Sequence, residues 1–135
     1  MIETVLVNML VNDPVVKDIT TRVRPFQDVT STARPCITYS RLSTRRFYGN
    51  DSPTGQAIAH YQLDVWADTQ LTALQLADAV RLALDGRRGT FYGKHLDAVH
   101  VTDQSDGATQ VRPGEQKPVA RITMDVTIGF PETTG

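Results

Sequence analysis

The sequence predicts an α+β domain with a mainly antiparallel β-sheet, two helices packed on one face and a long projecting β-hairpin. Strict alternation of apolar and polar residues, which typifies half-buried strands, recurs in the segments 59–67, 96–103 and 119–130. Apolar residues at helical spacing in residues 2–12 and 69–84 predict two amphipathic helices. The order of helix, strands, helix and strands, with no repeat and no linker, indicates a single domain over residues 1–135.

Size and composition are those of a folded protein. A chain of 135 residues with 40% hydrophobic and 21% charged residues is long enough to bury a core without disulfide bonds. The net charge of −1 gives no general attraction to nucleic acid or to an anionic membrane. The start of the chain has Glu3 where a signal peptide would carry positive charge, and no apolar run approaches the ~20 residues of a membrane span. We therefore expect synthesis in the cytoplasm and no membrane partner.

The first half of the chain is predicted to contain a helix and a hairpin. The first helix has an apolar stripe formed by Ile2, Val5, Leu6, Met9 and Leu10. Asp13 and Pro14 are predicted to cap a short turn through Ile19, and a brief strand ends at Pro25. The turn residues of segment 49–55 then join strand 36–48 to strand 56–67 as an antiparallel hairpin.

The second half begins with the strongest local signal, an alanine- and leucine-rich helix. Asp68 is predicted to cap its start, and Gly86 to provide the left-handed residue after its end. Its predicted buried face consists of Ala73, Leu76, Ala77, Val80, Ala83 and Leu84. Segment 89–95 is predicted to be a tight turn and segment 104–117 a polar loop.

Residues that could carry chemistry form no recognisable set. His95 and His100 are predicted to point to opposite faces of a strand region and His60 is remote, so no metal site is expected. Segment 89–95 lacks the spacing of a phosphate-binding loop, and the single cysteine, Cys36, has no obvious base nearby. We expect no catalytic residue, no metal and no cofactor.

Two features remain to be explained, the single tryptophan and a group of arginines. Trp66 falls on the polar face of its strand, where it either meets another copy of the protein or folds beneath the following helix into the core. The arginines, Arg41, Arg45 and Arg46, share one hairpin arm. They either contact phosphates, in a nucleic-acid-binding module, or are the charges of a solvated strand edge.

The order of these features resembles the tail completion, or tail terminator, proteins of long-tailed bacteriophages and prophages. The most specific part is residues 51–86, where a glycine-led strand ending in Asp-Val-Trp-Ala precedes a helix that ends in Leu-Asp-Gly. Further similarity lies in the stretches "NDPVV", "TRVRP", "PCITYSRLS" and "RITMDVTIGF". The likeness extends over nearly the whole chain, although these patterns are structural and not catalytic.

The resemblance implies a structural virion protein that is not an enzyme and has no cofactor. Copies would form a ring, a hexamer by analogy, at the head-proximal end of the tail tube. The ring would stop polymerisation of the major tail tube protein, provide the joining surface for the head–tail connector and let DNA pass through its channel. The hairpin and strand ends are expected to make the subunit or partner contacts, through Arg45, Arg46, Phe47, Tyr48 and Trp66.

Overall fold

The computed structural model describes residues 2–27, 33–48, 53–106 and 119–131, and in residues 47, 48, 53, 54 and 106 the backbone alone. Within these ranges the helices are α1 (Ile2–Val11), α2 (Pro14–Ile19) and α3 (Gln70–Leu84). The strands are β1 (Val23–Pro25), β2 (Cys36–Tyr48), β3 (Pro53–Ala67), β4 (Gly89–Phe91), β5 (Lys94–Leu96), β6 (Ala98–Asp106) and β7 (Ala120–Pro131).

The main sheet has five strands in the order β1-β2-β3-β7-β6. The short β1 runs parallel to β2, and every other pair in this sheet is antiparallel. The prediction of an α+β fold with a mainly antiparallel sheet and a long hairpin is therefore confirmed. Because β7 pairs with β3 from Gln56 to Ala67, only the tip of the hairpin extends past β7.

The helices pack on one face of this sheet, where a single apolar core forms. Along β3 the side chains of Tyr61, Leu63 and Val65 are fully buried on this face, as the alternation predicts. All six residues predicted for the buried face of α3 belong to this core. The predicted short turn is a third helix, α2, whose first amides at Val15 and Val16 donate to the Asp13 carboxylate at 3.2 and 3.1 Å.

The start of α3 differs from the prediction by one residue. The cap is Thr69, whose hydroxyl accepts a hydrogen bond from the amide of Thr72 at 3.2 Å, so the prediction of Asp68 is wrong. The Asp68 carboxylate instead accepts from Nε of Arg34 at 2.7 Å. At the other end Gly86 has φ +77°, which confirms the predicted left-handed residue.

The tight turn predicted in segment 89–95 is confirmed and connects a small hairpin of its own, β4 with β5. Tyr92 and Gly93 have φ values of 52° and 77°, the backbone that two-residue hairpin turns favour. Strand β6 continues to Asp106, past the predicted start of the polar loop. The rest of that loop, residues 107–118, and residues 49–52 of the hairpin turn lie outside the described residues.

Candidate subunit interface

The face of the sheet opposite the helices is polar. Its central row on β3 consists of His60, Gln62, Asp64 and Trp66. Cross-strand partners share a face, which places beside this row Cys36, Thr38, Ser40 and Ser43 on β2, and Arg121, Thr123, Asp125 and Thr127 on β7. We call this surface the polar sheet face.

A buried carboxylate organises the polar sheet face. Asp64 is only 1% exposed, and its Oδ1 accepts hydrogen bonds from Nε of Arg121 at 3.1 Å and from the hydroxyl of Thr123 at 2.7 Å. Its Oδ2 accepts from the side-chain amide of Gln62 at 3.2 Å. The negative charge is thus neutralised within the subunit, since an ionised carboxylate can be buried only when it is paired and hydrogen-bonded.

Trp66 lies at the end of this face and is 6% exposed. Its indole nitrogen donates to the hydroxyl of Thr38 at 3.0 Å, and the guanidinium of Arg121 stacks 4.8 Å from the ring centroid. Together with Cys36 and Val119 it forms a second small buried cluster. Trp66 is therefore neither an exposed aromatic nor part of the core beneath α3, and its role in a subunit interface stays a prediction.

The structure does not bring the hairpin arginines together. A bulge at Leu42 shifts the register of β2, so that Arg41 and Arg46 lie opposite Tyr61 and Ala57 of the helix-packed face, whereas Arg45 lies on the polar sheet face. Arg41 pairs with Glu3 of α1, and its Nε donates to the Tyr61 hydroxyl at 3.3 Å. No single surface for phosphates is formed by these three residues.

Among the other predicted interface residues, Arg45 and Arg46 are exposed. The backbone of Phe47 and Tyr48 continues β2, with Tyr48 opposite Pro53 at the hairpin tip. The side chains of Phe47 and Tyr48 lie outside the described part of the chain, so their contacts stay a prediction.

The comparisons with known proteins agree with this architecture. A protein-family model described as Tail completion protein gp17 matches residues 4–129. The chain belongs to this family. A chain in the solved structure titled "Virion of native gene transfer agent (GTA) particle" shares its fold, with a TM-score of 0.68 at 16% identity. The alignment covers 93% of this chain and 91% of that chain. Among curated proteins the search found no match.

Membership in the tail completion family confirms the resemblance drawn from the sequence. The protein is a structural component of a phage-type tail and not an enzyme. Among the described residues no three histidine, cysteine or acidic side chains lie close enough to hold a metal ion. No helix in the described ranges is long and apolar enough to cross a membrane.

Exposed leucines on α3 are the part of this tail completion protein's surface that the sequence analysis missed. Leu71 is 66% exposed, and Leu74 and Leu82 are also exposed on the side of α3 away from the sheet. The signal was present in the sequence, because these leucines fall outside the periodic set that faces the core. Single exposed apolar side chains of this kind are normal on a protein surface and do not by themselves identify a contact.

The buried hydroxyl of Tyr61 should make the stability of the protein depend on pH in alkaline solution. Burial raises the pKa of Tyr61 to about 12, although the hydrogen bond from Arg41 opposes the shift. Since the pKa is higher in the folded than in the unfolded chain, stability is complete below pH ~10 and falls as pH rises toward ~12. We expect the wild type to lose ~1–3 kcal/mol more than Tyr61→Phe over this interval. Urea unfolding of both proteins from pH 9 to pH 12 measures the difference, and parallel curves would contradict it.

Proposed function

We propose that this tail completion protein forms a closed ring, six copies by analogy, on the head-proximal end of the tail tube. There it stops polymerisation of the major tail tube protein and provides the surface to which the head–tail connector binds. The observation that carries the proposal is the family match over residues 4–129, because completing a tail requires ending the tube and joining it to the head. A cyclic ring needs two different contact patches on every subunit, which a sheet with two unlike edges supplies.

The charge distribution supports a ring through which DNA passes without being held. On the polar sheet face Arg121 forms an ion pair with Asp64 and a cation–π contact with the ring of Trp66. On the hairpin Arg41 is engaged by Glu3. Cations already paired with carboxylates contribute little to phosphate binding, which depends on releasing counterions from the nucleic acid. The net charge of −1 adds no general attraction.

Deleting the gene from a phage that carries it tests the proposal. We expect full heads and tails that are unjoined or overlong in electron micrographs, and infectivity that returns when the gene is supplied on a plasmid. The variant Tyr48→Asp, first shown to be folded by circular dichroism, should give the same particles because it places a charge at the hairpin tip. Tyr92→Asp, which changes an exposed tyrosine on the separate β4–β5 turn, serves as the matched control. Normal tail length and normal infectivity in the deletion phage would overturn the proposal.

A further inference from the structure

The first edge of the main sheet is basic. Strand β1 pairs only with the segment from Ile37 to Tyr39, so from Ser40 onward β2 has no strand neighbour on its outer side within the described residues. This part of β2 contains three arginines and no acidic residue, and of the three Arg41 is already paired with Glu3 of α1. Arg45 and Arg46 are exposed on opposite sides of the strand, so both sides of this edge carry positive charge. We call residues 40–48 the basic edge.

The opposite edge of the same sheet, formed by β6, is acidic from Val101 onward. At Val99 its outer side is covered by the backbone of Gly86 and Arg87, and Arg87 and Arg88 are exposed there. Strand β6 contains no lysine and no arginine. The Asp85 carboxylate accepts a hydrogen bond from the amide of Val101 at 3.0 Å, and the Asp103 carboxylate accepts one from the amide of Gln104 at 2.9 Å. Both carboxylates are thereby fixed along the outer side of β6, and both residues are exposed. We call residues 101–104 of β6, with Asp85, the acidic edge.

The two carboxylates determine how this edge can be used. Since they occupy the amides of Val101 and Gln104, a further strand cannot take those hydrogen bonds without displacing them, a common protection of sheet edges. The acidic edge is therefore suited to contacts between charged side chains and poorly suited to extension of the sheet. A partner surface must supply positive charge along a comparable length of strand.

We propose that the basic edge of one copy packs against the acidic edge of the next copy around the ring. This inference rests on the proposed function and names the two surfaces that join the subunits. Strands β2 and β6 lie on opposite sides of β3 and β7, so each subunit can present one edge to each neighbour. Opposite charges at unlike patches direct head-to-tail association and disfavour the pairing of like edges, which a closed ring requires.

Charge reversal and its rescue test the inference. We expect Arg45→Glu/Arg46→Glu and Asp103→Arg each to reduce the ring population about tenfold or more in native mass spectrometry of the full chain, because attraction is replaced by repulsion. Mixing the two variants in equal amounts should restore mixed assemblies, since the reversed edge of one then meets the reversed edge of the other. Raising the salt concentration should weaken the wild-type ring, because exposed charges are screened over ~10 Å at 0.1 M.

Matched variants separate the edges from general effects of charge. Lys17→Glu/Arg81→Glu changes the net charge by the same amount at an exposed and a partly exposed helix position outside both edges, and should leave the ring intact. Asp103→Asn keeps an oxygen for the Gln104 amide but removes the charge, so it should weaken the ring without lowering the melting temperature. All variants are first compared with the wild type by circular dichroism.

The possible failures are distinct. A wild-type chain that forms no ring, either alone or on purified tail tubes, would overturn the proposed function together with this inference. Wild-type rings that persist unchanged in both reversal variants would overturn the inference alone. Reduced retention of the Arg45→Glu/Arg46→Glu variant on double-stranded DNA, with unchanged rings, would assign the basic edge to nucleic acid and would likewise overturn it.

Discussion

Replacing Ala77 with arginine should leave little folded protein. Ala77 is fully buried where α3 meets the sheet, in the same core as Leu76 and Val80. A guanidinium forced into this contact has neither space nor a partner for its charge, and the cost of an unpaired buried charge far exceeds the effect of an ordinary substitution. We expect a loss of ~5 kcal/mol or more, which approaches the whole stability of a typical domain. Thermal unfolding followed by circular dichroism measures it.

Gln75→Arg is the matched control for this prediction. Gln75 lies on the exposed side of the same helix, two residues away, so the identical side chain is introduced into solvent. We expect a change within about 0.5 kcal/mol. Equal melting temperatures for the two variants would contradict the burial of Ala77, and a lower value for Gln75→Arg alone would show that the buried and exposed faces of α3 had been interchanged.

The faces of the main elements could be predicted because they depend on local periodicity. The alternation along β3 and the helical spacing in α3 each repeat often enough for the buried side to be predicted from the sequence alone. The cap of α3 could not be read in this way, since Asp68 and Thr69 are adjacent and both residue types favour that position. The choice depends on Arg34, which is 34 positions away in sequence and pairs with Asp68.

The environment of Trp66 depends on residues that only the sheet brings together. Thr38, Cys36 and Arg121 become its neighbours through the registers of β2 with β3 and of β3 with β7. A strand position alone gives the face of a side chain but not the residues that cover it. The sequence therefore placed Trp66 on the polar sheet face and left its burial undecided.

The hairpin arginines show how one inserted residue changes a surface. A regular strand would place Arg41 and Arg45 on one face and Arg46 on the other. The bulge at Leu42 moves every following side chain of β2 to the opposite face of the sheet, which separates Arg45 from Arg41. No local sequence feature specified this bulge, so the sequence alone could not assign the three arginines to the faces of the sheet.

Replacing Arg121 with leucine should be the most damaging change on the polar sheet face. The variant leaves the Asp64 carboxylate buried at 1% exposure, where its remaining donors among the described residues are the hydroxyl of Thr123 and the amide of Gln62. Removing one partner of a buried ion pair costs ~3–5 kcal/mol, because the remaining charge is uncompensated. Arg121 also covers the ring of Trp66, the only tryptophan of the chain, so its fluorescence reports on the same cluster.

A double-mutant cycle separates the ion pair from the loss of packing. Asp64→Asn with Arg121→Leu removes the buried charge that Arg121→Leu leaves behind, so the double variant should be more stable than Arg121→Leu alone. Urea unfolding followed by Trp66 fluorescence gives all four free energies, and we expect a coupling of ~1–3 kcal/mol. Additive effects of the two substitutions would mean that Arg121 acts by covering Trp66 and not by neutralising Asp64.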